Sequence, residues 1–304
     1  MTEPAATGAT PSLRDPAIVV LGSVNMDLVV TTPTLPRPGQ TLLGNSFQTI
    51  CGGKGANQAI AAARCGGRVR FIGAIGDDAF ADELATHLES CGVDIAALRR
   101  VAGPSGIAAI TVDDHAENSI VVVPGANAAV TELTAAEQQL LADAAMVVCQ
   151  LEIPVPTVVH AAAIATAAGK RLLLNPSPMQ PLSWALLSNT TLLVLNEHEA
   201  TEVGAAAVSE VFHVVTTLGR AGARYRGPDG EEFTVPAPEV TAVDTTGAGD
   251  AFTGALAVAW TEGRPPLAAL QFACAAGALA TTVVGAGTSS PDRDTIERLV
   301  ARAY

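Results

Sequence analysis

The sequence predicts an α/β protein: a doubly wound, mostly parallel β-sheet flanked by helices, with a second, small β-sheet lying over one edge as a lid. Three observations carry this expectation. Short apolar, β-branched runs alternate with Ala-rich stretches of helical length, which is the pattern of β-α units. Each run ends in Gly, Asn, Asp, Glu or Thr, so the polar residues converge on the carboxyl edge of the sheet, where open α/β folds bind ligands. Two extended segments break the alternation.

In chain order, the sheet strands are expected at AIVVLGSV, VRFIGAIG, MVVCQLE, RLLLNPS, LLVLNE and HVVTTLG. The lid is expected from residues 27–50 and 105–124, the second segment carrying a D-D-H-A-E-N turn between alternating runs. From residue 251 the pattern is helical, in AFTGALAVAW, LAALQFACAAGALATTVV and DRDTIERLVARAY. No repeat or low-complexity linker divides the chain, so residues 17–304 are read as one domain.

Residues 1–16, MTEPAATGATPSLRDP, are small, polar and Pro-bearing without a basic start or apolar stretch, which reads as a disordered tail and not a signal peptide. A cytoplasmic location is expected. The mean hydropathy of +0.34 comes mainly from alanine, and no run of about eighteen apolar residues is free of interruption, so no membrane span is expected. The five cysteines stand singly with no C-x-x-C pair, which suits reduced thiols better than a disulfide frame or zinc site. A net charge of -13 argues against nucleic acid, whose binding needs a basic stripe. If the protein binds phosphates, backbone N–H groups and a metal must carry much of the charge.

The stretch D-T-T-G-A-G-D, Asp244 to Asp250, precedes a helical run. Its glycines let the backbone turn tightly and aim free N–H groups at one point, where the helix dipole adds positive partial charge. That point suits an anion. Asp250, in the first turn, would be an ionised carboxylate able to take a hydroxyl proton beside a bound phosphate; standing alone, it would equally partner the dipole. A weak base suffices for phosphoryl transfer, which depends on positioning and charge neutralisation.

Gly52-Gly53-Lys54-Gly55-Ala56-Asn57 opens another helix but lacks the spacing of a P-loop. It is either a turn that lets the backbone approach a small ligand, with Asn57 facing hydroxyls, or a plain start of a helix. Asn25 and Asp27, two apart in extended backbone, share a face; they could grip neighbouring sugar hydroxyls or serve a turn. Glu152 ends its strand before Pro154 and Pro156 and is either solvated or part of the same edge. Asn196-x-x-Glu199 reads as a capping box or as a carboxylate near the water shell of Mg²⁺. Thr217-Leu218-Gly219 closes a strand, as a phosphate contact or as a simple turn.

Taken together, GGKGANQAIAAARCG and DTTGAGDAFTGA resemble the two signature regions of the PfkB carbohydrate kinase family, in its ribokinase branch, and the similarity runs from about residue 17 onward. The resemblance implies Asp250 as base on the sugar hydroxyl and the backbone of Thr246, Gly247, Ala248 and Gly249 as an anion hole. It implies sugar contacts from Asn25, Asp27, Gly53, Lys54, Asn57 and Glu152. ATP would meet Asn196, Thr217, Gly219 and Gly249, with Mg²⁺ reached through water from Glu199. A monovalent cation loop is implied by Asp244, Thr246, Gly285 and Ser289, so K⁺ activation is expected, as is a homodimer formed through the lid.

The expected reaction is ATP-dependent phosphorylation of a sugar, ribose before a phosphorylated sugar, since a second phosphate would need basic side chains that this acidic chain lacks. The alternatives are another sugar, a nucleoside, or a silent sensor on the same fold. An aromatic content of 4% disfavours a base-stacking site. A dinucleotide-binding oxidoreductase is excluded, because the first strand leads into GSVNMD and not G-x-G-x-x-G. One departure from the family is expected: residues 196–217 have room for a single short helix, which leaves the sheet face near the nucleotide side less covered.

Overall fold

The computed structural model describes residues 17–115 and 117–304; the tail expected at residues 1–16 lies outside the described residues. The chain starts with β1 (Ile18–Leu21), every residue of which is buried. Such a strand belongs in the middle of a sheet with both faces covered. Next come β2 (Asn25–Thr32), β3 (Ser46–Gly52), α1 (Lys54–Arg64), β4 (Val69–Ile75), α2 (Ala81–Ser90) and β5 (Val93–Arg100). The chain then passes through β6 (Gly106–Asp113), β7 (Asn118–Val123), α3 (Ala135–Asp143), β8 (Met146–Cys149), α4 (Val155–Ala167), β9 (Arg171–Leu174) and α5 (Trp184–Leu187). The last part holds β10 (Leu192–Asn196), α6 (Glu197–Val203), α7 (Ala205–Val208), β11 (His213–Thr217), β12 (Ala223–Arg226), β13 (Glu232–Val235), α8 (Ala248–Thr261), α9 (Pro266–Ala280) and α10 (Arg293–Ala303).

The large sheet runs β13-β12-β11-β10-β9-β8-β1-β4-β5. It is parallel from β5 to β11 and antiparallel only where β12 and β13 extend it. Alternate strand residues serve opposite faces. Val20, Phe71, Val148, Leu173 and Val194 join a core with α1, α2, α8, α9 and α10, and Val19, Ile72, Val147, Leu172 and Leu193 join a second core with α3, α4 and α5. All six expected strands lie in this sheet. The strands β5, β12 and β13 were not expected, and their sequences explain it. VDIAALRR, ARYR and EFTV mix charged and apolar residues, as suits strands at the sheet's margins with one solvated side.

The second sheet has the order β3-β2-β6-β7 and is built from the two extended segments. Its central pair, β2 with β6, is parallel over eight positions from Asn25↔Gly106 to Thr32↔Asp113, and the flanking pairs are antiparallel.

The segment after β10 differs from the expected single helix. Gly204, at φ 81°, ends α6 after seven residues, and one further turn, α7, follows. The sheet face beside it keeps a cavity bordered by Val208, Val214, Thr216 and Arg226, and Arg226 ties the segment to the sheet, its Nη2 donating to the carbonyls of Val208 at 2.7 Å and Val211 at 3.0 Å.

Candidate active site

The first turn of α1 lies against the link between β1 and β2. Gly53 has φ 93°, and a Cβ there would stand 2.8 Å from the backbone nitrogen of Asn25, so only glycine fits this approach. Two turns away in space, α8 crosses α1 at Gly254, where a Cβ would come 2.6 Å from the Gln58 carbonyl oxygen. That close crossing brings the N-termini of both helices to one place.

Asp250 sits in the first turn of α8, 7% exposed. Both of its carboxylate oxygens accept an amide hydrogen from α1: Oδ2 from Asn57 Nδ2 at 3.2 Å and Oδ1 from Gln58 Nε2 at 2.9 Å. The helix supplies no partner for its first N–H groups, and a Cβ on Gly249 would enter open space. The N-terminus of α8 is therefore open at Gly249, beside a carboxylate.

Glu152 is not merely solvated. Its Oε2 accepts from Ser23 Oγ at 2.5 Å, from the Lys54 backbone nitrogen at 3.0 Å and from Asn25 Nδ2 at 3.5 Å. The amide of Asn25 is oriented from its other end, since Asn127 Nδ2 donates to Asn25 Oδ1 at 2.7 Å. Asn127 is itself pinned by Val24, donating to its carbonyl and accepting from its nitrogen, both at 3.0 Å.

Asp27 stands near enough to feel both Glu152 and Asp250. Burial, with the negative charges of Glu152 and Asp250 added, raises its pKa to about 7. Burial works against the Lys54 ammonium, yet Asp250, Glu152 and Glu199 together hold its pKa above the ordinary value. Asn25, Asp27, Gly53, Lys54, Asn57, Glu152 and Asp250 thus form one polar cluster at the carboxyl edge of the sheet.

On the other side of α8, Asp244 ties two loops. Its Oδ1 accepts from the Thr246 nitrogen and its Oδ2 from the Gly285 nitrogen, each at 2.9 Å. Partial burial disfavours this carboxylate, but those two N–H groups hold its pKa below the usual range. Ser289 is buried and its Oγ donates to the Ala286 carbonyl at 2.6 Å. Asp244, Thr246, Gly285 and Ser289 are therefore neighbours, and the ends of these loops carry exposed apolar side chains in Val243, Val283 and Val284. Among the described residues, no three His, Cys, Asp or Glu side chains cluster as a metal site.

The capping box at Asn196 and Glu199 is formed: Asn196 Oδ1 accepts from the Glu199 nitrogen and Glu199 Oε2 from the Asn196 nitrogen, each at 2.8 Å. The capping reading is thus formed, and the charge of Glu199 also reaches Lys54. Asn196 is paired in register with Thr217 on the neighbouring strand, whose Oγ1 donates to the Leu195 carbonyl at 3.3 Å. Gly219, with φ 55°, starts the turn that follows. Ser23, Gln58, Asn127 and Gln150 also belong to the site's polar framework and were not expected from the sequence.

The five cysteines are free, and among the described residues no helix is long and apolar enough to cross a membrane. Residues 15–293 match the model of the pfkB family carbohydrate kinase. The chain is 40% identical over 293 residues to a ribokinase of Bacillus subtilis (strain 168), covering 93% of this chain and 99% of that one. It is 35% identical to a deoxyribokinase of Salmonella typhi, covering 90% and 95%. Its backbone superposes with a TM-score of 0.87 and 33% identity on the Arabidopsis thaliana ribokinase complexed with ribose and ATP, over 94% of this chain and 98% of that one. Matches of this extent, on a chain with this sheet order and this helix-start carboxylate, identify it as a member of the pfkB family of carbohydrate kinases.

Proposed function

We propose that the protein transfers the γ-phosphoryl group of ATP to the primary hydroxyl of D-ribose, giving ribose 5-phosphate and ADP. The observation that carries this reading is the position of Asp250, buried at the start of α8 beside the open space over Gly249 and joined through Asn57 to the cluster around Glu152. In this reading Asp250 accepts the hydroxyl proton as the oxygen attacks the γ-phosphorus, and the bond to ADP breaks. The turn Thr246 to Gly249 receives the charge on the transferring group through the N–H groups of Gly247 and Gly249, those of Thr246 and Ala248 being engaged by Asp244 Oδ1 and the Thr245 carbonyl. Asn25, Asp27, Gly53, Lys54, Asn57 and Glu152 hold the sugar hydroxyls.

On the nucleotide side, Asn196, Thr217 and Gly219 line the phosphates and the apolar Val243, Val283 and Val284 suit a base. Glu199 fits Mg²⁺ through water, as an ionisable carboxylate with one oxygen engaged by its cap; the ion would neutralise phosphate charge. The loops at Asp244, Thr246, Gly285 and Ser289 offer oxygen ligands of the hard kind that K⁺ takes. A homodimer fits the exposed apolar residues Ile120 to Val123 on β7 and Phe47 on β3, at the two edges of the lid sheet, and a cytoplasmic location stays part of this reading.

Asp27 makes the sugar step depend on pH. Its folded pKa of about 7 lies above its ordinary 3.8, so between those values the unfolded chain has lost a proton that the folded chain keeps. Stability contributed by this group therefore falls as pH rises through that window and stays low above it. Asp27→Asn is expected to raise Tm by about 2–4 °C at pH 8 while raising KM for ribose by at least about 10-fold, because a charged hydrogen bond is lost. Tm and KM measured at pH 5 and pH 8 check both signs: wild-type KM should fall towards pH 8, and the variant's should not.

ADP release with ATP, Mg²⁺ and K⁺ across ribose, deoxyribose, fructose, adenosine and fructose 6-phosphate tests the substrate. Turnover strongest on ribose supports the proposal. Deoxyribose is the second reading, favoured by the similarity to a deoxyribokinase, and stronger turnover on it would replace ribose. ATP binding without turnover on any of them would point to a sensor.

A further inference from the structure

We propose that Gln58 and Gln150 form a buried relay that positions the Asp250 carboxylate, an inference that rests on Asp250 acting as the base. Gln58 directly follows Asn57 on α1, and both side chains are completely or almost completely buried. Every polar group of Gln58 is engaged. Its Nε2 donates to Asp250 Oδ1 at 2.9 Å and to Asn175 Oδ1 at 3.0 Å, and its Oε1 accepts from Gln150 Nε2 at 2.6 Å.

These partners admit one orientation of the amide. Turned over, Gln58 would set its oxygen against the oxygens of Asp250 and Asn175, and its NH₂ against the NH₂ of Gln150. Asn175 is fixed in turn, because its Nδ2 donates to the Val194 carbonyl at 3.1 Å. The direction of the whole chain of amides is set by backbone at β10 and delivered to one oxygen of Asp250. Asn57 holds the other oxygen, so the carboxylate cannot rotate, and its remaining lone pairs face away from α1.

The far end of the relay indicates that packing alone does not account for it. Gln150 Oε1 is buried without a hydrogen-bond partner and lies so near Gly22 that a Cβ there would come within 2.1 Å of it. A buried acceptor left unpaired is destabilising. An apolar pair of the same size would fill this space without that penalty, whereas an amide at position 150 supplies the donor that Gln58 Oε1 needs once Asp250 and Asn175 have fixed its NH₂ end.

Gln150→Met keeps the volume and strips Gln58 Oε1 of its donor, leaving a buried acceptor unpaired on the amide that holds Asp250. The expected result is a kcat about 10-fold lower, as for a base held in the wrong geometry, with KM for ribose and for ATP within about 2-fold of wild type. Gln58→Glu puts a second carboxylate against Asp250 in place of the donor; the two then compete for one proton. The other charged groups facing Asp250 are Lys54 of α1 and Asp27 of β2, and both are kept. The acid limb of the kcat profile is expected to move up by about one pH unit or more.

Wild-type kcat in Gln150→Met with an unmoved acid limb in Gln58→Glu would overturn the relay. If Gln58→Glu does not fold, Gln150→Met decides alone, with its Tm alongside to separate lost fold from lost positioning. Asp250→Asn in the same assay distinguishes the two levels: full activity there overturns the base, and with it the premise, whereas loss there with wild-type Gln150→Met overturns only the relay.

Discussion

Asp250→Asn is expected to leave a folded protein that still binds ribose and ATP, with kcat reduced by at least about 10²-fold. The substitution keeps the shape of the side chain and removes its capacity to take a proton. It also turns one of the two accepting oxygens into a donor, set against Asn57 Nδ2 or Gln58 Nε2, which now donate to it from 3.2 and 2.9 Å. A modest fall in Tm follows from that one repulsion, distinct from the loss of turnover. Calorimetric ribose binding beside steady-state kcat checks the division. Wild-type kcat in the variant would remove Asp250 from the base's role and leave it as a partner of the helix dipole.

Gly247→Ala is expected to be damaging for two reasons that add. Gly247 has φ 74° as the residue preceding α8, and a Cβ there would meet the Cα of Ala286 at 2.6 Å. The obstacle is backbone, so no rotamer relieves it. The strain destabilises by about 1–3 kcal/mol, and displacement of the loop would carry the N–H groups of the proposed anion hole with it, lowering kcat by about 10²-fold. Gly249→Ala is the informative contrast. Its Cβ would meet nothing within 4 Å and alanine favours a helix, so Tm should hold or rise while the added methyl intrudes where the phosphate is proposed to lie. Thermal unfolding and kcat on the two variants separate a glycine needed by the fold from one needed by the ligand. Equal loss of Tm in both would refute the distinction.

The central parallel strands are legible because burial on both faces leaves continuous apolar runs such as IVVL and MVVC. The marginal strands are not, because a residue like Arg99, ion-paired to Glu137, or Arg224, beside Glu232, interrupts the pattern that a period-2 reading needs. The same physics divides the site. Asp250, Asn57 and Lys54 stand in glycine-rich turns that mark themselves, and Asn25, Asp27 and Glu152 stand at strand ends. Gln58, Gln150 and Asn127 act through partners more than ninety positions away, and no local spacing encodes that. One signal was present: Gln150 lies directly after the apolar run MVVC, and a lone amide in so buried a place requires a partner. The helix after β10 was misjudged because Gly204 can as easily sit within a short helix as end it, and the choice is made by its φ.

The gathering of Asp250, Glu152 and Glu199 around Lys54 has a kinetic consequence. In most enzymes of anionic substrates a basic funnel draws the substrate in, and added salt weakens that pull. Here a chain of net charge -13 meets a polyphosphate of the same sign, and with the anion hole proposed at the start of α8, attraction would begin only at the last few ångströms. Mobile ions at physiological strength screen beyond about 8 Å, which shortens the repulsive part of the approach and leaves the attractive part intact. Added salt is therefore expected to speed the nucleotide's encounter, which the association rate measured against ionic strength checks.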